Sequence, residues 1–156
     1  AAIHESHAAL QPWIRWARTL PTLEESEALV QEKTAQFALR TDLVFYLFLH
    51  SSGDFVGATG LHRMDWEVPR FEIGYWVRSS QAGHGYMTEA VRGIAEFARA
   101  HLHARRLEIR MDHDNTASRR VAERSGFPLE ATLNNDRRNS AGEVVHSCIY
   151  ALTFDP

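Results

Sequence analysis

The sequence predicts an α+β fold in which helices lie on the faces of a mixed, mostly antiparallel sheet with one central parallel strand pair. Two observations support this prediction. Residues 71–77 and 105–113 alternate apolar and polar side chains, and a helical pattern separates them. A helix between two strands of one sheet makes those strands parallel. The segments on either side of this unit are strands joined by short turns or a polar loop, which pair antiparallel.

The N-terminal part supplies two predicted helices. A helical pattern opens the chain and is broken at Pro12, after which Trp13 and Trp16 follow closely. These tryptophans either anchor the core or line an acceptor site, since an indole offers a large apolar area and one N–H in both settings. Thr22 and Glu25 spell a capping box, which predicts a helix over residues 23–39.

The middle of the chain contains the unit that organises the predicted fold. Residues 43–50 and 55–64 form a predicted antiparallel hairpin. Residues 70–77 are the next strand, from which the chain passes through the turn 79–85 into a helix that ends near His103.

The last part supplies a strand, a helix and two closing strands. The predicted ranges, in chain order, are 105–113, 117–125, 127–133 and 143–154. Asn115 is the expected N-terminal cap of the helix and Gly126 its C-terminal stop. A polar loop over 134–142 joins the two closing strands.

Composition narrows the class of protein. The 156 residues, 44% of them hydrophobic, suit one globular domain, and a net charge of −3 gives no basic field for nucleic acid. We expect a cytoplasmic protein, because no apolar run has the length of a membrane span and no signal peptide is visible. Cys148 is the single cysteine and fits a buried strand position, and no histidine lies in an H-E-x-x-H motif, so no metal is expected.

The turn at 79–85 is the strongest functional signal in the sequence. A strand that enters a helix through a glycine-containing turn aims several N–H groups and the positive helix end at one point, which binds anions. A Walker loop is excluded because Tyr86 and Met87 follow Gly85, and a dinucleotide fingerprint is excluded by Thr88. The pattern (Arg/Gln)-x-x-Gly-x-(Gly/Ala) of an acyl-CoA pyrophosphate loop fits residues 80–85, with serine at its first position.

Four ordered motifs resemble the GNAT superfamily of acyl-CoA-dependent N-acyltransferases, and within it the branch of the RimJ and RimL ribosomal-protein N-acetyltransferases. The motifs are GLHRMD (60–65), EIGYWV (72–77), GHGYMTEAV (83–91) and NTASRRVAERSGF (115–127). The resemblance implies that residues 1–156 are a single N-acetyltransferase domain that lacks the family's first N-terminal strand. It also implies that the two parallel strands splay apart.

The same resemblance assigns the cosubstrate acetyl-CoA to particular residues. Its pyrophosphate would meet the loop residues Gln81, Ala82, Gly83, His84, Gly85, Tyr86 and Met87. Its pantetheine arm would pair with the strand edge at Trp76, Val77 and Arg78, where an N–H near Val77 would hold the thioester oxygen, and Asn115 would contact the arm.

Transfer to an amine also needs a group that removes the amine's proton. Glu72, two pleats before the expected splay, is the candidate base. Its alternative role is to form a salt bridge with Arg70 or with an arginine of the neighbouring strand. Ser118 is placed near the sulfur by the resemblance, although helix capping explains it nearly as well. Trp13, Trp16 and His62 are candidate acceptor contacts, although a lone histidine on a strand is more often structural. Ala122 stands where many superfamily members have a tyrosine acid.

We therefore expect an acetyl-CoA-dependent N-acetyltransferase whose acceptor is a protein N-terminal amine, such as that of a ribosomal protein. A small amine (a polyamine, an amino acid or an aminoglycoside) is the alternative acceptor. A non-catalytic acyl-CoA-binding regulator is the alternative class of protein. Exposed tryptophans would be compatible with a homodimer.

Overall fold

The computed structural model describes residues 1–155 and contains four α-helices and six β-strands in that range. The helices are α1 (Ala2–Leu10), α2 (Leu23–Leu39), α3 (Tyr86–Leu102) and α4 (Thr116–Arg124). The strands are β1 (Leu43–Phe48), β2 (Phe55–Asp65), β3 (Arg70–Val77), β4 (Arg106–Asp112), β5 (Leu129–Arg138) and β6 (Val144–Thr153). Short 3₁₀ turns occupy Arg15–Arg18 and Ser79–Gln81.

One sheet with the strand order β1-β2-β3-β4-β6-β5 forms the centre of the molecule. Every neighbouring pair is antiparallel except β3 and β4, which confirms the predicted fold class. The parallel pairing joins only residues 70–72 to residues 106–108, although β3 continues to Val77. The two strands therefore part after Glu72, and the rest of β3 has a free edge towards β4.

The core lies between one sheet face and the helices α3 and α4. Phe71 and Ile73 of β3 are buried on this face, as alternation along the strand requires. Helix α3 covers them with an apolar stripe at helical spacing, formed by Met87, Val91, Ile94, Ala98 and Leu102. Cys148 of β6 is fully buried in the same cluster, which confirms its predicted place in a strand.

Local signals fix the helix α2 as predicted. Its observed range is the predicted one, and both capping-box hydrogen bonds are present: the Thr22 N–H donates to Glu25 Oε2 at 2.8 Å, and the Glu25 N–H donates to Thr22 Oγ1 at 3.1 Å. Within residues 1–155, none of the helices is both long and apolar enough to cross a membrane.

The polar loop predicted over residues 134–142 is wrong in its extent. Strand β5 continues to Arg138, because Arg137 and Arg138 pair with Val145 and Val144 of β6. Arg137 also forms an ion pair with Asp112 of β4. The polar composition of the segment favoured a loop, whereas pairing with β6 and the ion pair with Asp112, 25 residues away in sequence, make it a strand.

Candidate active site

The turn between β3 and α3 presents a row of unused backbone donors. Gly83 and Gly85 have φ angles of 82° and 84°, a region that favours glycine, and a side chain at either position would meet no atom within 4 Å. Within residues 1–155, the N–H groups of residues 83–88 have no hydrogen-bond acceptor, whereas the Ala82 N–H donates to the Ser79 carbonyl at 3.2 Å. The open side of this turn can therefore hold a phosphate group on residues 83–88.

Helix α1 holds the entry to this turn. The Ser79 N–H donates to Ser6 Oγ at 2.9 Å, and the Ser80 N–H donates to Glu5 Oε1 at 2.9 Å. Arg78 Nε donates to the other carboxylate oxygen of Glu5 at 2.7 Å. Hydrogen bonds from Ser80, with the help of Arg78, lower the pKa of Glu5 to about 2. Sequence reasoning missed Glu5 and Ser6, because their partners lie more than 70 residues away.

Two arginines lie beside the turn. A cavity of about 710 Å³ is lined by Gly85, Thr88, Glu89, Arg92 and Arg124. Arg92 donates a hydrogen bond to the Arg124 carbonyl, which ties α3 to the end of α4. The rings of His84 and Tyr86 stack at 5.5 Å at the other side of Gly85. The cavity thus adds positive charge next to the free N–H groups.

The free edge of β3 presents the backbone of Val77 to the gap. The Arg78 N–H donates to the Val56 carbonyl of the β2 side at 2.7 Å. Because backbone groups alternate in direction along a strand, the N–H groups of Tyr75 and Val77 point the other way, towards β4. The Trp76 side chain lies on the sheet face opposite the core, against Trp16 at 5.9 Å and Phe55 at 5.7 Å between ring centroids.

A tyrosine that sequence reasoning overlooked bridges the gap to α4. The Tyr75 hydroxyl donates to the Ser118 carbonyl at 2.9 Å, and the two hydroxyl oxygens lie 3.0 Å apart. Burial raises the pKa of Tyr75 to about 12. Asn115 Oδ1 accepts the Ser118 N–H at 3.1 Å, so Asn115 caps α4. Ala122 is fully buried in the core cluster.

Glu72 lies on the same face as Trp76 and is an under-bonded carboxylate. Its Oε2 atom is buried and has no hydrogen-bond partner within residues 1–155, although Arg63 Nη1 lies at 3.5 Å. Its neighbours in register are His62 of β2 and Glu108 of β4. Glu108 differs from Glu72, since Arg106 donates to it at 3.0 Å. The Glu72 side chain is 19% exposed and adds negative charge to this face, and its contact with Arg63 of the neighbouring strand corresponds to the alternative role of a salt-bridge partner.

His62 lies flat on the sheet next to Glu72. A side chain at Gly60 or at Gly74 would come within 2.9 Å of the imidazole, so these two glycines leave the space in which the ring rests. The His62 Nδ1 atom is 2.8 Å from Asp42 Oδ1, and Lys33 Nζ donates to the other oxygen of Asp42 at 3.0 Å. Sequence reasoning named His62 but not Asp42, which precedes β1 by one residue.

Two loop segments that are remote in sequence meet beside this face. Arg18 donates to the Asn139 carbonyl at 3.1 Å, and the Ser140 hydroxyl donates to the Pro12 carbonyl at 2.8 Å. Trp13 and Trp16 belong to the first segment and are 37% and 48% exposed. The interpretation of these tryptophans as core anchors is therefore wrong, and they remain available as acceptor contacts.

The structure thus brings most of the predicted residues to one gap in the sheet. The loop 83–88 and the edge at Val77 lie on one side of it, with Asn115 and Ser118 on α4. Glu72 and His62 lie on the face opposite the core. Among residues 1–155, no group of three or more histidine, cysteine, aspartate or glutamate side chains could hold a metal ion.

A parallel strand pair that parts beside a turn with free N–H groups defines an acyltransferase of the GNAT class. Comparisons with known proteins place this chain in the same class. The model of the acetyltransferase (GNAT) domain family matches residues 1–128, so the chain belongs to this family. The chain is 27% identical over 147 residues to a ribosomal-protein-serine acetyltransferase of Escherichia coli (strain K12), covering 94% of this chain and 80% of that protein.

A second relative agrees with this assignment, and a solved structure shares the fold. An uncharacterized N-acetyltransferase p20 of Bacillus licheniformis is 25% identical over 108 residues, which are 69% of this chain but only 60% of the length of p20. A solved structure described as RimL, a ribosomal L7/L12 alpha-N-protein acetyltransferase in complex with coenzyme A, has the same fold. It matches with a TM-score of 0.89 and 24% identity over 99% of this chain and 85% of that one.

Proposed function

We propose that this chain transfers the acetyl group of acetyl-CoA to a primary amine, with the α-amine of a protein N-terminus as its acceptor. The observation that carries the proposal is the row of free N–H groups at residues 83–88, next to the place where β3 parts from β4. The similarity to a ribosomal-protein-serine acetyltransferase supports the choice of acceptor. The proposal treats residues 1–156 as one N-acetyltransferase domain.

The residues of the gap have separable tasks in this reaction. Acetyl-CoA supplies the acetyl group as a thioester, and the N–H groups of residues 83–88 bind its pyrophosphate. The gap-facing N–H of Val77 holds the carbonyl oxygen as charge develops on it. Asn115 and Tyr75 keep the start of α4 in place. With it they hold Ser118, the candidate group for protonation of the departing thiolate.

The opposite face suits a cationic amine at the end of a chain. The under-bonded carboxylate of Glu72 attracts an ammonium group. Exposed Trp16 packs against Trp76 of the same sheet face, and the hydrogen bond between Ser140 and Pro12 joins its segment to the loop after β5, so these residues form a wall that an extended peptide can contact. A protein N-terminus uses both the charge and the wall, whereas a small amine uses the charge alone.

The test is release of free thiol from acetyl-CoA with a panel of acceptors. We expect turnover with peptides that carry a free α-amine, and no turnover with the same peptides after N-terminal formylation. Turnover with a polyamine, an amino acid or an aminoglycoside in place of the peptides would assign the alternative acceptor. Tight binding of CoA without thiol release from any amine would identify a regulator and overturn the proposal.

A further inference from the structure

We infer that His62 is the proton acceptor for the amine and that Asp42 is its positioning residue. This inference rests on the proposed function and names the base of that reaction. It is carried by the His62–Asp42 hydrogen bond and by the place of the ring on the sheet.

The contact with Asp42 determines which nitrogen of His62 is free. A carboxylate oxygen can only accept a hydrogen bond, so the proton of a neutral His62 ring lies on Nδ1, 2.8 Å from Asp42 Oδ1. The lone pair then lies on Nε2. Lys33 of α2 donates to Asp42 Oδ2 at 3.0 Å and to Gln36 Oε1 at 2.8 Å, which fixes the carboxylate from the side away from the ring.

The two glycines show where Nε2 lies. A side chain at Gly60 and one at Gly74 would each approach Nε2 to 2.9 Å, so this atom rests on the sheet between the two positions. Gly74 precedes Val77 by three residues, about 10 Å along the strand at about 3.3 Å per residue. That length accommodates the amine nitrogen and one bridging water between Nε2 and a carbonyl held at Val77.

Glu72 is less well placed for this task. Its backbone is two residues further from Val77 than Gly74, about 7 Å along the strand. Arg63, whose guanidinium lies 3.5 Å from Glu72 Oε2, follows His62 in β2, so its backbone is further from Val77 than that of His62. Glu72 thus adds negative charge to the face that the ammonium approaches, while His62 takes the proton.

The proton balance of the step is complete with these groups. The ammonium gives one proton to His62 Nε2 through the bridging water, and the freed nitrogen lone pair forms the C–N bond as the C–S bond breaks. The second nitrogen proton goes to the departing CoA thiolate. His62 then returns its proton to solvent, so one proton is released for each acetyl group transferred. The charged groups that face this ring are Asp42 and Lys33 on the α2 side, and Glu72 and Arg63 on the sheet.

The experiment compares pH profiles of kcat for the wild type, His62→Ala and Asp42→Asn. We expect His62→Ala to lose about 10²-fold in kcat at neutral pH and to recover as pH rises and the amine deprotonates in solution. Removal of the ring opens the space above Gly60 and Gly74, so added imidazole should restore activity in proportion to its neutral form. Asp42→Asn should lower kcat by about tenfold without rescue by imidazole.

His113→Gln is the matched control. His113 Nδ1 also contacts a carboxylate, Asp114 Oδ1 at 3.0 Å, but this pair is exposed and outside the sheet face. Its pH profile should equal that of the wild type. Thermal midpoints and CoA affinity, measured for every variant, show whether each one folds.

The outcomes separate this inference from the proposed function. A wild type without turnover would overturn both. An active wild type with a folded His62→Ala variant that keeps the wild-type profile would overturn the inference alone. So would a uniform loss at every pH without imidazole rescue, because it would assign a structural role to the ring.

Discussion

The hydroxyl of Tyr75 donates to the carbonyl of Ser118 at 2.9 Å, and this bond joins β3 to α4 across the gap in the sheet. Burial raises the pKa of Tyr75 to about 12 from an ordinary value of 10.0. The phenol therefore keeps its proton at neutral pH and acts as a donor. The bond keeps the start of α4, and with it the Ser118 hydroxyl, at a fixed distance from the strand edge.

Replacement of Tyr75 by phenylalanine should lower the free energy of unfolding by about 1 kcal/mol, the ordinary value of one buried hydrogen bond. The wild type should also lose stability between about pH 10 and pH 12, because the unfolded tyrosine ionises first. Tyr75→Phe removes this group, so the stability difference between the two proteins should shrink over that interval. Denaturant titrations at pH 8 and pH 11 measure the difference, and an equal difference at both would contradict the assignment.

Ser118→Ala tests whether the hydroxyl beside the Tyr75 phenol matters for protonation of the thiolate. A thiol with a pKa of about 8.5 is a tolerable leaving group without a dedicated acid. We therefore expect kcat to fall by about tenfold at most. A much larger loss with unchanged CoA affinity would make Ser118 the general acid.

Gly85→Ala should weaken acetyl-CoA binding. The φ angle of 84° costs an alanine about 1 kcal/mol, and a shifted turn loses hydrogen bonds to the pyrophosphate, so KM for acetyl-CoA should rise about tenfold. Gly53→Ala is the control, because Gly53 has a φ of 75° and equally open surroundings in the turn between β1 and β2. Both variants should lose similar stability. Unchanged CoA affinity in Gly85→Ala would remove the turn from the binding site.

Glu5 gives a prediction about acid stability. The folded-state pKa of about 2 lies below the ordinary 4.5, so the contribution of Glu5 is complete above pH 4.5 and is lost as pH falls towards 2. Glu5→Gln should thus lower the thermal midpoint at pH 7 and make little difference near pH 2. It should also raise KM for acetyl-CoA, because Glu5 accepts the Ser80 N–H at the entry to the turn.

Glu96→Gln is the control for the effect on acetyl-CoA. The Arg99 side chain lowers the pKa of Glu96, and this pair lies on α3 without a contact to the turn. Glu96→Gln should leave KM unchanged. An equal effect of both substitutions would show that Glu5 acts only as a surface charge.

Trp16→Ala separates peptide acceptors from small ones. Trp16 packs edge-on against Trp76 at 5.9 Å and is 48% exposed, so its loss removes wall area rather than core. KM should rise about tenfold for a peptide with a free α-amine and stay unchanged for a small primary amine. Leu23→Ala is the control for surface hydrophobicity, because Leu23 is also exposed and apolar but lies on α2. Equal effects on both acceptors would exclude the wall from peptide binding.

The sequence by itself determined the features that depend on near neighbours in the chain. The capping box of Thr22 and Glu25 fixes α2, because both partners lie within one helical turn. The glycines at 83 and 85 fix the conformation of the turn before α3, because the positive φ angles there favour glycine whatever the rest of the fold. The order of motifs identified the family for the same reason, since each motif is a continuous stretch.

Tertiary structure alone decided which distant residues meet. Asp42, just before β1, reaches His62 on the neighbouring strand β2, Glu5 reaches Ser80 from the first helix, and Arg137 reaches Asp112 across the sheet. No periodicity in the sequence reports such contacts, because they depend on strand order and register, which place residues 20 to 75 positions apart within one hydrogen bond. His62 is therefore recognised as a candidate base only from the fold. Gly60 and Gly74 leave room for its ring, and Asp42 orients the ring.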